Sequence, residues 1–197
     1  QAAIDVVEID PEIERIGREL FGLDDYADRV RPRTGDARMF LAASDERYDL
    51  IFGDVFQGRQ TVPPHLVTRE FFDLVHRRLT DEGIYMMNVV GALEGPQSLF
   101  ASSLAATLGE VFSEVYVFAT RPGTPADQLQ NLVIVAPAQA LHFDREDLIA
   151  RAGDNRQLAE MASSLAGGVN LTGTVKPTIF TDDHAPVEYM IARQLRR

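Results

Sequence analysis

The stretch that decides the fold is IDVVEIDP, at residues 4–11. It begins with a short apolar run containing β-branched residues, which is typical of a buried strand. Asp10 and Pro11 follow, and these residue types favour the N-cap and the first position of a helix. Apolar residues then recur at helical spacing as far as Gly22, a common helix stop. The stretch therefore predicts a strand followed directly by an amphipathic helix.

The same alternation continues along the chain. Further strands are predicted at residues 30–34, 48–52, 84–90, 115–119 and 132–136. Helices are predicted at residues 37–43, 68–79 and 96–108, with Gly83 ending the turn after the second of these. Strands that alternate with helices indicate βαβ units and a mostly parallel sheet. The last two strands lie close together in the sequence, which favours an antiparallel pair.

The length of 197 residues suits one α/β domain with an appendage. We expect the main domain at residues 1–140 and a helical extension packed on it at residues 141–197. Helices within this extension are predicted at residues 144–152, 155–166 and 186–197. The chain lacks an initiator Met and enters a strand at once, so we expect it to begin inside a larger fold. No apolar run reaches the roughly 18 residues that a membrane-spanning helix needs.

The composition excludes several classes of function. Lys and Arg total 19 against 30 for Asp and Glu, which gives a net charge of −11. An acidic surface disfavours binding to nucleic-acid phosphates and is compatible with small cationic ligands. The chain has no cysteine, which excludes disulfides, thiolate metal sites and a cysteine nucleophile.

Three predicted strands are followed by, or end in, an acidic residue: Glu8, Asp36 and Asp54. Ligands of open parallel sheets bind beyond the carboxyl ends of the strands, so these acids are expected to line one cleft. One carboxylate can accept hydrogen bonds from two ribose hydroxyls, and another can hold an ammonium group or take its proton. The alternative is that each acid only caps the next turn or helix.

Several motifs together resemble one family. They are VVEIDP at residues 6–11, GDA at 35–37, YDLIFGD at 48–54, FF at 71–72 and TDDHAPVE at 181–188. In this order the motifs resemble spermidine synthases (polyamine aminopropyltransferases), most closely the bacterial spermidine synthase-like proteins. The first two motifs are shared with the wider methyltransferase-like class. The resemblance implies an α/β methyltransferase-like Rossmann fold, with a mostly parallel twisted sheet, helices on both faces and an antiparallel last strand pair.

The resemblance also implies roles for individual residues. Glu8 and Ile9 would bind the ribose of decarboxylated S-adenosylmethionine, the co-substrate, or of methylthioadenosine, the product. Asp36 and Ala37 would bracket the adenine. Asp54 would belong to the same site and act as the base that holds and deprotonates the attacking amine.

Two departures from the family pattern bear on the substrate. The family's sequence after the catalytic aspartate contains a second acid that helps hold the polyamine, and Gln57 stands there instead. Gln57 is therefore expected to contact the substrate through a neutral amide, and Asp183 in the tail motif is the other expected substrate residue. The glycine-rich loop and its strand, which the family places before residue 4, are not in this sequence.

Three functions stay open at this point. The first is aminopropyl transfer to an amine. The second is S-adenosylmethionine-dependent methyl transfer, which shares the roles of Glu8 and Asp36, although Asp54 would repel the carboxylate of that cofactor. The third is a diverged, non-catalytic nucleoside-binding domain, which the amide at Gln57 favours.

The remaining expectations concern partners. Asp182, Asp183 and His184 are adjacent, but a loop with a helix cap before Pro186 is favoured over a metal site, so no metal is expected. The resemblance implies a small-molecule amine substrate and a cytoplasmic homo-oligomer, a dimer. Neither nucleic acid nor, for this chain, a membrane is an expected partner.

Overall fold

The computed structural model describes residues 2–54, 62–121, 123–141, 145–156, 159 and 176–195. The described strands are β1 Ile4–Glu8, β2 Val30–Thr34, β3 Tyr48–Gly53, β4 Leu79–Gly91, β5 Tyr116–Ala119 and β6 Gln130–Pro137. The described helices are α1 Pro11–Phe21, α2 Ala37–Ala43, α3 Arg69–Arg78, α4 Leu99–Gly109, α5 Arg145–Ala152 and α6 Val187–Leu195. Single 3₁₀ turns occupy Leu23–Tyr26, Pro64–Leu66 and Pro96–Ser98. The chain divides into two compact units, Gln1–Glu46 and Arg47–Arg197.

The first unit is built on a parallel pair of strands. β1 and β2 pair in register from Ile4 with Val30 to Glu8 with Thr34. Helix α1 follows β1 as predicted: the Asp10 side chain accepts a hydrogen bond from the backbone of Glu12, and Gly22 ends the helix at φ 67°. Local capping chemistry therefore sets both ends of this helix.

The second unit contains a four-stranded sheet in the order β3-β4-β6-β5. β3 and β4 are parallel, whereas β6 is antiparallel to both β4 and β5. The antiparallel pair predicted for the last two strands is therefore confirmed.

Strand β4 begins earlier than predicted. We expected the preceding helix to include Leu79 and the strand to start at residue 84, but Leu79 already pairs with Tyr48 and is fully buried. Gly83 lies inside β4 rather than ending a turn, and a Cβ there would come within 2.8 Å of the Tyr48 carbonyl oxygen. Glycine is needed because the backbone of β3 approaches this closely.

The core lies on one face of the four-stranded sheet. Tyr85 of β4 packs against Phe72 of α3, with ring centroids 5.8 Å apart. Residues 176–180 are attached to helix α4. The backbone N–H of Thr178 donates to Ser103 Oγ at 3.0 Å, and that of Phe180 donates to Thr107 Oγ1 at 2.9 Å. Helix α6 contacts α4 in turn. The fully buried side chains include Phe72, Leu79, Met87, Val89, Leu104, Leu108, Leu132, Ile134 and Phe180.

After residue 141 the structure describes residues 145–156, 159 and 176–195. The predicted helices at residues 144–152 and 186–197 correspond to α5 and α6, while the helix predicted at 155–166 lies largely outside the described residues. The domain boundary at residue 140 stays a prediction. Within the described ranges, no helix has the length and apolar character needed to cross a membrane.

Candidate functional site

Glu8 and Asp36 lie at the same end of the parallel pair β1–β2. Glu8 is the last residue of β1 and pairs with Thr34, the last residue of β2. The backbone N–H of Gly35 donates to the carbonyl oxygen of Glu8 at 2.8 Å, which extends the pairing beyond the strand ends. Both acidic side chains are half-buried. The parallel register therefore brings these two predicted nucleoside residues together.

Each of these two acids also holds the adjoining backbone. Glu8 Oε1 accepts a hydrogen bond from the Asp10 backbone N–H at 2.9 Å. Asp36 Oδ1 accepts one from Met39 at 2.9 Å and is the N-cap of α2. Capping and ligand binding are compatible, because an ionised carboxylate has about four acceptor positions on two oxygens. These two hydrogen bonds orient both carboxyl groups in the protein without ligand.

The two smaller predicted site residues flank these acids. Ile9 is 57% exposed, directly after Glu8. Ala37 is the first residue of α2 and is half-buried. Gly35, the first residue of the GDA motif, has a φ of 157°, and apart from its chain neighbours no described residue lies within 4 Å of the position that its Cβ would occupy. Backbone conformation, rather than crowding, therefore calls for glycine here.

Asp54 belongs to the second unit. It follows Gly53, the last residue of β3, and its side chain is exposed. Gly53 pairs with Met87 of β4, which brings Asp54 beside the next residue of that strand, Asn88. The Asn88 Nδ2 donates to Asp54 Oδ1 at 3.3 Å. Asn88 was missed by the sequence analysis, where the available signal was one amide in the apolar run YMMNVV at residues 85–90.

The tail motif forms a turn attached to the start of α3. Thr181 and His184 exchange two backbone hydrogen bonds of 3.0 Å around the turn. Asp183 lies on this turn with its side chain exposed. Asp182 attaches the turn to Thr68, because its Oδ1 accepts a hydrogen bond from Thr68 Oγ1 at 2.7 Å. The turn thus has a defined position relative to α3.

Electrostatic contacts strengthen this attachment. Glu70 Oε2 accepts a hydrogen bond from the Asp182 backbone N–H at 3.0 Å, and its Oε1 pairs with Arg69 at 2.9 Å. Desolvation opposes ionisation of Glu70, but backbone hydrogen bonds at Glu70 and Asp182, together with Arg69, leave the pKa of that carboxyl below its usual value. The tail is therefore held by an ionised acid near neutral pH.

The described residues do not include every predicted site residue. Gln57 lies outside the described residues. The single cleft expected for Glu8, Asp36 and Asp54 stays a prediction of the sequence. In the ranges that the structure describes, no cluster of three or more His, Asp or Glu side chains is arranged to hold a metal ion.

Strands and helices in this order, with acids at the carboxyl ends of parallel strands, define a methyltransferase-like Rossmann protein. Solved structures that are similar to the chain include the following two. A probable spermidine synthase from Corynebacterium glutamicum matches with a TM-score of 0.61 and 27% identity, over 97% of this chain and 60% of that one. Human methyltransferase-like protein 13, solved in complex with SAH, matches with a TM-score of 0.61 and 26% identity, over 86% of this chain and 75% of that one.

The family within this class is shown by the sequence match. Residues 2–141 match the spermine/spermidine synthase domain, and the chain belongs to that family. A probable polyamine aminopropyl transferase from Bifidobacterium longum is 32% identical over 199 aligned residues, which cover 93% of this chain and 42% of the relative. The chain thus spans less than half the length of that relative.

Proposed function

We propose that this chain supplies the nucleoside- and amine-binding residues of an aminopropyltransferase. Membership of the spermine/spermidine synthase family supports this. The observation that carries the proposal is the Asp54 carboxylate, exposed at the carboxyl end of β3 and hydrogen-bonded to Asn88. An exposed acid at a strand end is the group that the proposed chemistry needs.

The reaction needs an amine that has lost its proton. Asp54 orients the acceptor amine and takes a proton from it, because an ammonium has no lone pair with which to attack. The amine nitrogen forms a bond to the aminopropyl carbon as the bond from that carbon to the sulfonium sulfur breaks. Methylthioadenosine leaves as a neutral thioether, and the positive charge moves to the new secondary amine. A carboxylate near this path favours the cationic reactants.

The nucleoside would be held by the first unit. Glu8 accepts the two ribose hydroxyls, with Ile9 against the sugar, while Asp36 and Ala37 border the adenine. This assignment is supported by the half-buried carboxylates at one end of β1–β2, which backbone hydrogen bonds already orient. The bound co-substrate is then decarboxylated S-adenosylmethionine, and methylthioadenosine is the product.

The acceptor is a small amine whose length the chain does not specify. Gln57 replaces a charged residue of the family pattern, so it can accept a hydrogen bond from a distal amino group without adding charge. Asp183, on the turn attached to α3, supplies a carboxylate for such a group. We therefore propose Gln57 and Asp183 as substrate residues, in an enzyme that works as a cytoplasmic dimer.

Methyl transfer is the second candidate, favoured by the similarity to human methyltransferase-like protein 13. The two functions differ in the charge of the cofactor. S-adenosylmethionine carries a carboxylate that its decarboxylated form lacks, and an ionised Asp54 near that group would repel it. A preference for the decarboxylated form therefore separates the two candidates.

The test is release of methylthioadenosine from decarboxylated S-adenosylmethionine with a panel of mono-, di- and polyamines. We expect amine-dependent release, and a loss of about 100- to 10,000-fold in kcat for Asp54→Asn. Asp81→Asn is the control, since Asp81 is an exposed β4 residue paired with Arg47 at 2.7 Å. Equal rates for Asp54→Asn and the native protein would overturn the proposal. Nucleoside binding without turnover would instead identify a non-catalytic domain.

A further inference from the structure

The contact between Asn88 and Asp54 is set by the sheet itself. Gly53 and Met87 are register partners in the parallel pair β3–β4, and Asp54 and Asn88 are the residues that follow them. The 3.3 Å hydrogen bond from Asn88 Nδ2 to Asp54 Oδ1 therefore joins a residue within β4 to the residue directly after β3. Backbone pairing, rather than a loop conformation, holds the amide beside the acid.

Asn88 interrupts an apolar stretch of β4. Its chain neighbours Met87 and Val89 are fully buried and point to the opposite face of the sheet, and its antiparallel partner on β6 is Val133. Asn88 itself is half-buried. A polar group in such an apolar strand costs stability unless it is hydrogen-bonded. The side-chain amide of Asn88 meets this need by donating to Asp54.

We propose that Asn88 is a positioning residue that acts through Asp54. Its Nδ2 engages Oδ1 and so leaves Asp54 Oδ2 directed to an incoming amine. A neutral amide can do this without placing a second negative charge beside the carboxylate. The inference rests on the proposed function, in which Asp54 takes a proton from the amine that attacks the aminopropyl carbon.

Three substitutions at Asn88 distinguish the effect of its Nδ2 hydrogen-bond donor from the effect of its side-chain shape. Asn88→Ala removes the donor, Asn88→Asp keeps the shape and loses the donor, and Asn88→Gln restores an amide. Asn131→Ala is the matched control. Asn131 is an asparagine on β6, and its partner on β4 is Val90, two residues after Asn88. Its side chain is exposed.

Steady-state kinetics with decarboxylated S-adenosylmethionine and an active amine give the first readout. We expect kcat to fall about 10- to 100-fold in Asn88→Ala and Asn88→Asp, as misplacement of a reacting group would cause. The KM for decarboxylated S-adenosylmethionine should stay unchanged, Asn88→Gln should recover part of kcat, and Asn131→Ala should match the native protein. Native kcat in Asn88→Ala would overturn the inference.

NMR of the side-chain amide gives a readout that needs no turnover. The Asn88 NH₂ resonances should shift in Asp54→Ala, whereas those of Asn131 should not. If the native protein transfers no aminopropyl group, the proposed function and the positioning role of Asn88 in it both fail, whereas a shift still establishes the contact between the two side chains. Unchanged Asn88 resonances in Asp54→Ala would overturn the positioning role even in an active enzyme.

Discussion

The backbone N–H of Gly35 donates a hydrogen bond to the carbonyl oxygen of Glu8 at 2.8 Å. This bond joins Glu8 of the VVEIDP motif to Gly35, the first residue of the GDA motif, which lies 27 residues further along the chain. It continues the parallel pairing of β1 and β2 past their last residues. The spacing of the Glu8 and Asp36 carboxyl groups is therefore set by backbone hydrogen bonds.

Gly35→Ala tests this arrangement. Gly35 has a φ of 157°, which side-chain-bearing residues rarely adopt, so we expect a loss of about 1–3 kcal/mol in unfolding free energy and weaker nucleoside binding. Gly109→Ala is the control, because its Cβ position also meets no other side chain or backbone within 4 Å among the described residues, and Gly109 ends helix α4 with an ordinary backbone conformation. Urea denaturation should show no loss for the control. Equal effects of the two substitutions would contradict a backbone cause.

Thr68→Val tests the attachment of the tail. Thr68 Oγ1 accepts from the Phe71 backbone at 3.2 Å and donates to Asp182 at 2.7 Å, so its loss should cost about 1–2 kcal/mol. Hydrogen exchange should also accelerate at residues 180–184. Thr80→Val is the control: it removes an exposed hydrogen bond to Asp49 and should cost under about 0.5 kcal/mol. Unaltered exchange in the tail would show that Thr68 does not hold it.

Alkaline pH should weaken the fold through Tyr116. Burial, then the hydrogen bond to Glu114 (2.6 Å) and its negative charge, raises the pKa of the Tyr116 hydroxyl to about 12. An unfolded tyrosine has a pKa of about 10, so the stabilisation is complete below pH 10 and is lost as pH rises from about 10 to about 12.

Comparison with Tyr116→Phe isolates this effect. The unfolding free energy of the native protein should fall more steeply over that pH range than that of the variant. Burial also raises the pKa of Tyr85, but Tyr85 is common to both proteins and cancels in the difference. Parallel pH dependences would contradict the role of Tyr116.

The buried glutamines should respond in opposite ways to substitution. Neither amide atom of Gln130 has a hydrogen-bond partner among the residues that the structure describes, although the residue is only 6% exposed. Gln130→Met should therefore raise the unfolding free energy by about 1 kcal/mol. Gln194→Met should lower it by about 1–3 kcal/mol, because Gln194 Nε2 donates to the Val90 carbonyl oxygen at 2.9 Å. Destabilisation by Gln130→Met, measured in urea, would show that its amide is paired.

Local chemistry explains which elements could be predicted from sequence. Helix α1 has the predicted bounds because Asp10, Pro11 and Gly22 act within their own segment. Strand β4 begins at Leu79 for a different reason: Leu79 pairs with Tyr48 across the sheet and is buried there. Such pairing between distant segments overrides a local helix signal.

The same distinction applies to the site. The places of Glu8, Asp36 and Asp54 at the ends of strands could be predicted, because each stands at or just after a strand whose end is visible in the sequence. Asn88 could not, since its place beside Asp54 depends on the register of β3 against β4. The bond between Thr68 and Asp182 joins residues 114 positions apart, and no spacing rule predicts it.

Calorimetric titration measures whether Glu8 holds a nucleoside and whether the site prefers a ligand without a carboxylate. Decarboxylated S-adenosylmethionine, methylthioadenosine and S-adenosylmethionine would be titrated into the native protein, Glu8→Gln and the control Glu46→Gln, an exposed acid of the same unit. We expect the two ligands lacking the carboxylate to bind more tightly than S-adenosylmethionine. We also expect Glu8→Gln alone to weaken binding by about tenfold or more, the loss of about 1.4 kcal/mol expected for a charged hydrogen bond. Tighter binding of S-adenosylmethionine, or unchanged affinity in Glu8→Gln, would show that the chain does not bind its nucleoside in the proposed way.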